Sequence, residues 1–251
     1  MISKSQNGCV PKKRNFFSFF VIHIAWLIIA RQIQNNFSFY HLSPGDYELV
    51  YEPAEDTFLL LDALEKDAEF LRNEIKPCIC LEIGSGTGCV STFLGKILGD
   101  GTALLICTDI NPYASAITNK TGYHNSIQLD SITTNLVNGL LPRLYHSIDI
   151  LCFNPPYVVT TSDDLYLSKS IIEKAWAGGI DGREIIDKML PLVDKLLSDK
   201  GVFYLLLINE NKPNEVCEIM KNNYHLQSEV LLSRLAGREK QLILKFWRNT
   251  R

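Results

Sequence analysis

A short apolar strand runs directly into a glycine-rich loop, and a helix follows. Ile79-Cys80-Leu81-Glu82-Ile83 leads at once into Gly84-Ser85-Gly86-Thr87-Gly88, and Val90 to Leu98 has helical spacing of its apolar positions. No other feature constrains the fold as strongly, because strand, glycine loop and helix in that order form the opening unit of a doubly wound α/β sheet. Glycine lets the backbone take positive φ and approach a ligand closely. A second strand, Ala103 to Cys107, ends at Thr108-Asp109, with Asp109 twenty-five positions after Gly84. An acid at the end of the second strand is placed to accept hydrogen bonds from ribose hydroxyls.

The loop is not a dinucleotide fingerprint. That pattern, G-x-G-x-x-G, uses a helix N-terminus to cradle a pyrophosphate. Here the pattern is E-x-G-x-G-x-G, with Glu82 just ahead of the glycines. A negative charge there repels phosphate and favours a cation. S-adenosylmethionine carries an ammonium and a sulfonium and no phosphate, so it fits. The plain alternative is a strand–helix turn that binds nothing.

A second signal weighs against that alternative. Asn154-Pro155-Pro156-Tyr157 follows the run Ile148, Ile150, Leu151, Cys152, Phe153, broken only by Asp149. The run reads as a buried parallel strand, so the tetrapeptide lies at its carboxyl end, where open α/β sheets bind ligands. Two prolines lack N–H groups and fix φ, which makes a rigid corner. The corner holds the Asn side chain and the Pro155 carbonyl in one geometry beside an aromatic ring. Such a site suits a planar nitrogen gripped by acceptors. Read alone, the same residues are an Asn-Pro turn.

Together the glycine loop and Asn154-Pro155-Pro156-Tyr157 resemble class I S-adenosylmethionine-dependent methyltransferases that act on planar nitrogens. The segment Tyr51-Glu52-Pro53-Ala54-Glu55-Asp56-Thr57-Phe58-Leu59-Leu60-Leu61-Asp62-Ala63-Leu64 narrows the resemblance to the eukaryotic HemK-like family that methylates a glutamine of the translation release factor. Asp109-Ile110-Asn111-Pro112, Gly139 to Leu144, Phe153 to Thr160, Ala175 to Gly179 and Gly182-Arg183-Glu184 agree with it, and the likeness runs from about Tyr51 to Phe246. The resemblance implies a Rossmann-like fold with a mostly parallel seven-stranded sheet and helices on both faces. It implies that Thr57, Glu82, Gly84, Asp109 and Asn154 contact S-adenosyl-L-methionine, with Gly86 and Gly88 completing the loop. The family's Asp-Leu pair near the adenine reads Asn135-Leu136 here, a neutral acceptor in place of a charged one. The expected catalytic and substrate-binding group is Asn154, Pro155, Pro156 and Tyr157, with Tyr157 packed on the substrate amide. The resemblance further implies a small zinc-binding activator subunit as partner, the Gly-Gly-Gln glutamine of the class I release factor as substrate, and a histone lysine as a second one. Cytoplasm and nucleus are the expected compartments.

The remaining sequence sets bounds. The length, 251 residues, suits one α/β domain. Helical patterns at Gly182 to Leu197 and Pro213 to Met220, and strands near 79, 103, 127, 148, 201–208, 224–232 and 240–246, give seven strands. Net charge is −3, which argues against a nucleic-acid groove as the dominant surface. Seven cysteines and five histidines show no metal-ligand spacing and no disulfide framework. A nucleic-acid methyltransferase acting on an adenine amine is the runner-up, although no second domain remains to flip a base. An inactive scaffold that binds a partner is the alternative of another class, and intact Glu82, Asp109 and Asn154 oppose it. Residues 1–40 read as an extension outside the catalytic domain, residues 41–251. The extension contains an apolar run, 16–30, which as a helix would extend about 22 Å, short of the roughly 30 Å hydrocarbon core. A start not native to the protein is the favoured reading of it, ahead of a membrane anchor and of a cleaved signal.

Overall fold

The computed structural model of the protein describes residue 38, residues 41–160 and residues 177–249. The apolar run at 16–30 lies outside the described residues. Among the described residues no helix is long and apolar enough to cross a membrane.

Seven strands form one sheet: β1 (Ile79–Ile83), β2 (Leu104–Asp109), β3 (Asp130–Thr133), β4 (Ile148–Phe153), β5 (Leu197–Ile208), β6 (Leu226–Ala236) and β7 (Glu239–Arg248). Their order is β3-β2-β1-β4-β5-β7-β6. The first five pair in parallel, while β7 runs antiparallel to β5 and to β6. The strand order reverses between β1 and β4, so their carboxyl ends frame the crevice where such sheets bind ligands. Both strands are buried on both faces, as strands covered by helices on each side are, with Glu82 and Asp149 their only charged residues.

Among the described residues five longer helices cover the sheet: α1 (Glu55–Lys66), α2 (Cys89–Leu98), α3 (Pro112–His124), α4 (Glu184–Leu196) and α5 (Pro213–Tyr224). Helices α1, α2 and α3 contact one another in turn, and α4 contacts α5. Leu81, Ile83, Leu151, Phe153 and Leu205 pack with Ile186, Met189, Leu190 and Val193 of α4 and with Val216 and Met220 of α5. The alternate residues Glu82, Cys107 and Cys152 sit side by side in register on the other face, beneath α2. The single acid of β1 therefore lies in a row of buried thiols.

The predicted elements all appear, with shifted ends. The strand expected near 127 begins at Asp130, because it is a four-residue edge strand with no alternation to mark it. The helix Pro213 onward continues to Tyr224. The last hairpin turns through Gly237-Arg238, with Gly237 at φ +60 as a tight turn between twisted strands requires.

Residues ahead of Tyr51 also pack on this unit. Leu42 and Val50 are buried against Ala114 and Ile117 of α3. Asn125 donates to the Ser38 carbonyl at 2.8 Å and accepts from its N–H at 2.9 Å. Lys120 pairs with Asp46 at 2.8 Å, and Asn111 donates to the Leu49 carbonyl at 2.8 Å.

Candidate active site

The site is assembled at the carboxyl ends of β1, β2, β3 and β4. The glycine loop leaves β1 with Gly84, Gly86 and Gly88 at φ +68, +51 and +75, a conformation that side chains resist. The glycines serve different needs. A Cβ on Gly88 would stand 2.8 Å from the Thr118 backbone, so Gly88 lets α3 approach the loop. A Cβ on Gly86 would meet nothing within 4 Å, so Gly86 faces open space, while its N–H donates to Asp109 and its carbonyl accepts from the Thr118 hydroxyl.

Asp109 ends β2 and is half-buried. Its Oδ2 accepts from the Gly86 N–H at 2.9 Å, and its Oδ1 accepts from the Asn111 N–H at 2.8 Å. Besides the ribose role expected of it, the acid has a structural one. It ties the glycine loop to the end of β2 and keeps a second lone pair on each oxygen for a ligand. Desolvation raises its pKa, and the backbone donors oppose that rise.

Glu82 is buried, and its Oε2 accepts from the Ser91 N–H at 2.9 Å and from the Ser91 hydroxyl. Burial pushes its carboxyl up to about 8; the Ser91 donors hold it down, and Asp109 adds a further upward push. A buried acid with so few donors is held close to neutrality and is stabilised as an anion once a cation arrives.

Asn154 follows β4. Its Nδ2 donates to Asp56 Oδ2 at 3.0 Å. A carboxylate oxygen only accepts, which fixes the orientation of the amide and turns Oδ1 away from Asp56. That Oδ1 is buried and accepts no hydrogen bond among the described residues. A buried acceptor left unpaired costs about 1–3 kcal/mol, so it marks a place where a donor belongs. Tyr157 is buried, and its hydroxyl donates to the same Asp56 Oδ2 at 3.2 Å. Burial and the Asp56 carboxylate push the Tyr157 hydroxyl far above its usual range, and the same causes push Tyr51 up to about 12. Both remain donors at neutral pH and neither is a base.

Asp56 was not singled out from the sequence, although it stands beside Thr57 in the first turn of α1. It is buried, and its Oδ1 also accepts from the Thr57 N–H at 2.7 Å and the Thr57 hydroxyl at 3.3 Å. Thr57 thereby faces Asp56 and closes the start of α1. Asn135 and Leu136 follow β3 as expected, but Asn135 is exposed, and its backbone carbonyl accepts from the Asn138 N–H at 3.0 Å in a turn. Leu136 takes φ +51 and packs its side chain against the core. Among the described residues no cluster of side chains could hold a metal ion.

Sheet order, glycine cradle, strand-end acids and orphan amide define a class I S-adenosylmethionine-dependent methyltransferase. The open space over Gly86, the buried carboxyl of Glu82 and the remaining lone pairs of Asp109 fit that cofactor. The Methyltransferase small domain family matches residues 55–178. Human methyltransferase HEMK2 is 51% identical over 206 residues, covering 82% of this chain and 93% of its own. The eRF1 methyltransferase catalytic subunit mtq2 of Schizosaccharomyces pombe is 39% identical, covering 81% of this chain and 91% of its own. Among solved structures, the E. cuniculi Mtq2–Trm112 complex, responsible for methylation of the eRF1 translation termination factor, matches with a TM-score of 0.58 at 27% identity. It covers 80% of this chain and 99% of that one. The chain belongs to the HEMK2 family of HemK-like methyltransferases.

Proposed function

We propose that this enzyme methylates the side-chain amide nitrogen of a glutamine in the class I release factor, at its Gly-Gly-Gln motif, in complex with a small zinc-binding activator subunit. The observation that carries the reading is the orphan Oδ1 of Asn154. The relatives named for eRF1 methylation, and the Mtq2–Trm112 complex, support the choice of substrate and partner. Cytoplasm and nucleus are the compartments proposed.

S-adenosylmethionine, when bound, supplies an electrophilic methyl group. The chain's own residues do the rest. An amide nitrogen is a poor nucleophile because its lone pair is delocalised into the carbonyl. Asn154 Oδ1 takes one of its N–H bonds, and the Pro155 carbonyl takes the other. The lone pair is thus aimed along one line, which removes orientational freedom before reaction. As positive charge builds on the nitrogen, both hydrogen bonds strengthen, so the acceptors favour the transition state over the ground state. Asp56 keeps Asn154 from flipping and presenting its amine instead. Neither tyrosine removes a proton, and the nitrogen sheds one to solvent after transfer.

The test is mass spectrometry of a release-factor substrate incubated with labelled cofactor and the chain plus activator subunit. The expected product is one methyl on the glutamine. Asn154→Ala should lose more than about a hundredfold in turnover, near 3 kcal/mol, as removal of one preorganised contact does. Near-wild-type turnover in that variant would end the assignment.

A further inference from the structure

We infer that Asn211 is a positioning residue of the reaction, setting the Asn154-Pro155-Pro156-Tyr157 corner from behind while touching neither substrate nor cofactor. The inference rests on the function proposed above and goes beyond it.

Asn211 closes the short turn Asn209–Asn211 after β5 and is wholly buried. Every part of its amide is used. Nδ2 donates to the Tyr157 carbonyl at 2.8 Å and to the Asp181 carbonyl at 2.9 Å. Oδ1 accepts from the Ile208 N–H at 2.8 Å. One side chain therefore joins the exit of β4, the loop before α4 and the exit of β5, across 54 and 30 positions of chain. Tyr157 is held at both ends, its hydroxyl by Asp56 and its carbonyl by Asn211.

The surroundings are built to allow this. A Cβ on Gly182 would lie 1.9 Å from the Tyr157 oxygen and 2.5 Å from Asn211 Nδ2, so glycine is what lets the three segments meet. Asp181 and Lys212 take φ +55 and +56 and pair with each other at 2.6 Å. Two side-chain-bearing residues in this region cost free energy and persist where the surrounding structure fixes them. They bracket Asn211 on both sides. An aspartate at this position could still accept from Ile208 but would donate to neither carbonyl. A glutamine would be one methylene too long for the space beside Gly182. The corner's Asn154 and the substrate nitrogen must align to a fraction of an ångström, and a shift of about 1 Å at a remote support costs on the order of a hundredfold in rate.

The experiment uses Asn211→Asp and, as a change that replaces the amide with a short hydroxyl donor, Asn211→Ser, in the full chain with its activator subunit. Turnover and KM for a release-factor substrate are read beside the cofactor dissociation constant from calorimetry and the thermal midpoint. The side-chain amide resonance of Asn154 is read by 15N NMR, identified by its loss in Asn154→Ala. The expected result is a fall in kcat of roughly tenfold to a hundredfold for Asn211→Asp, less for Asn211→Ser. KM and cofactor affinity should stay within about threefold. The Asn154 amide should shift and exchange faster, while amides of β1 and β2 keep their protection. Unchanged kcat in either folded variant overturns the inference. So does loss of cofactor affinity and thermal stability in step with activity in both variants, because a residue that only holds the fold together would produce that. Should the wild-type enzyme leave the release factor unmethylated, the functional reading fails on its own. The Asn154 resonance then still decides whether Asn211 sets the corner, and an unmoved signal overturns it.

Discussion

Two acids in the site are used in opposite ways. Asp56 serves by accepting: it fixes the Asn154 amide and the Tyr157 hydroxyl through one oxygen. Asp56→Asn makes that position able to donate, so Asn154 can turn its oxygen inward and present its amine to the substrate. Turnover should fall by about a hundredfold while cofactor affinity holds; steady-state kinetics beside calorimetry would show it, and full activity would remove Asp56 from the site. Glu82 serves by being costly. With its folded pKa raised from 4.5 to about 8, the folded chain holds one more proton than the unfolded chain between those values. The stability contributed by this group therefore falls as pH rises through that window. A cation placed beside Glu82 lowers its pKa, so cofactor binding should release a proton and tighten as pH rises from about 5 toward 8. Above about 8 the ligand's own ammonium loses its charge and the gain ends. Calorimetry at pH 7 in buffers of different ionisation enthalpy measures the released proton. Glu82→Gln should abolish the release, and a wild-type heat independent of buffer would refute it.

At the scale of elements, the segment 41–50 behaves as a strap laid along α3. Leu42 and Val50 are buried against Ala114 and Ile117, and burying side chains of that size contributes roughly 1.5–3 kcal/mol each. A chain starting at Tyr51 should therefore melt about 10 °C lower than one starting at Phe37, given roughly 2–4 °C per kcal/mol at this length. Equal midpoints would mean the strap only rests on the helix. This strap was hard to read in advance because its polar stretch, with Pro44-Gly45, resembles a linker, and its few apolar residues show no period. The glycine loop and Asn154-Pro155-Pro156-Tyr157 were legible because their geometry is local: each is a strand end with residues that force the backbone. Asp56 and Asn211 were not, since their meaning lies in partners 98 and 54 positions away. An acid in a first helical turn already has a sufficient local reason in the helix dipole, and an Asn shortly before a proline has one in the turn. The tie from Asp109 to Gly86 was hidden for a related reason, because it exists only once β1 and β2 are side by side.

At the scale of the whole molecule, the chain divides by contact density into residues 1–36 and residues 37–251. All seven strands and the entire site fall in the second unit. The boundary proposed from sequence, between residues 40 and 41, cuts inside a tie, because Ser38 exchanges both backbone hydrogen bonds with Asn125 at the end of α3. Asn125 also donates to the Thr121 carbonyl at 2.9 Å, so its amide is oriented before Ser38 arrives. Two hydrogen bonds of this kind contribute about 1 kcal/mol each. A chain starting at Phe37 keeps them, and a chain starting at His41 loses them and exposes the Asn125 amide. We expect the chain from Phe37 to fold, to bind S-adenosylmethionine with the affinity of the full chain, and to be more soluble, since it lacks the apolar run 16–30. The chain from His41 should fold with a thermal midpoint several degrees lower. Cofactor at a hundred times its dissociation constant should raise every midpoint, by about 2.7 kcal/mol of added stability. Scanning calorimetry of the three chains, each with and without cofactor, decides among the outcomes. If the chain from Phe37 fails to fold or loses cofactor-induced stabilisation, residues 1–36 belong to the catalytic unit, and the apolar run has a place in it.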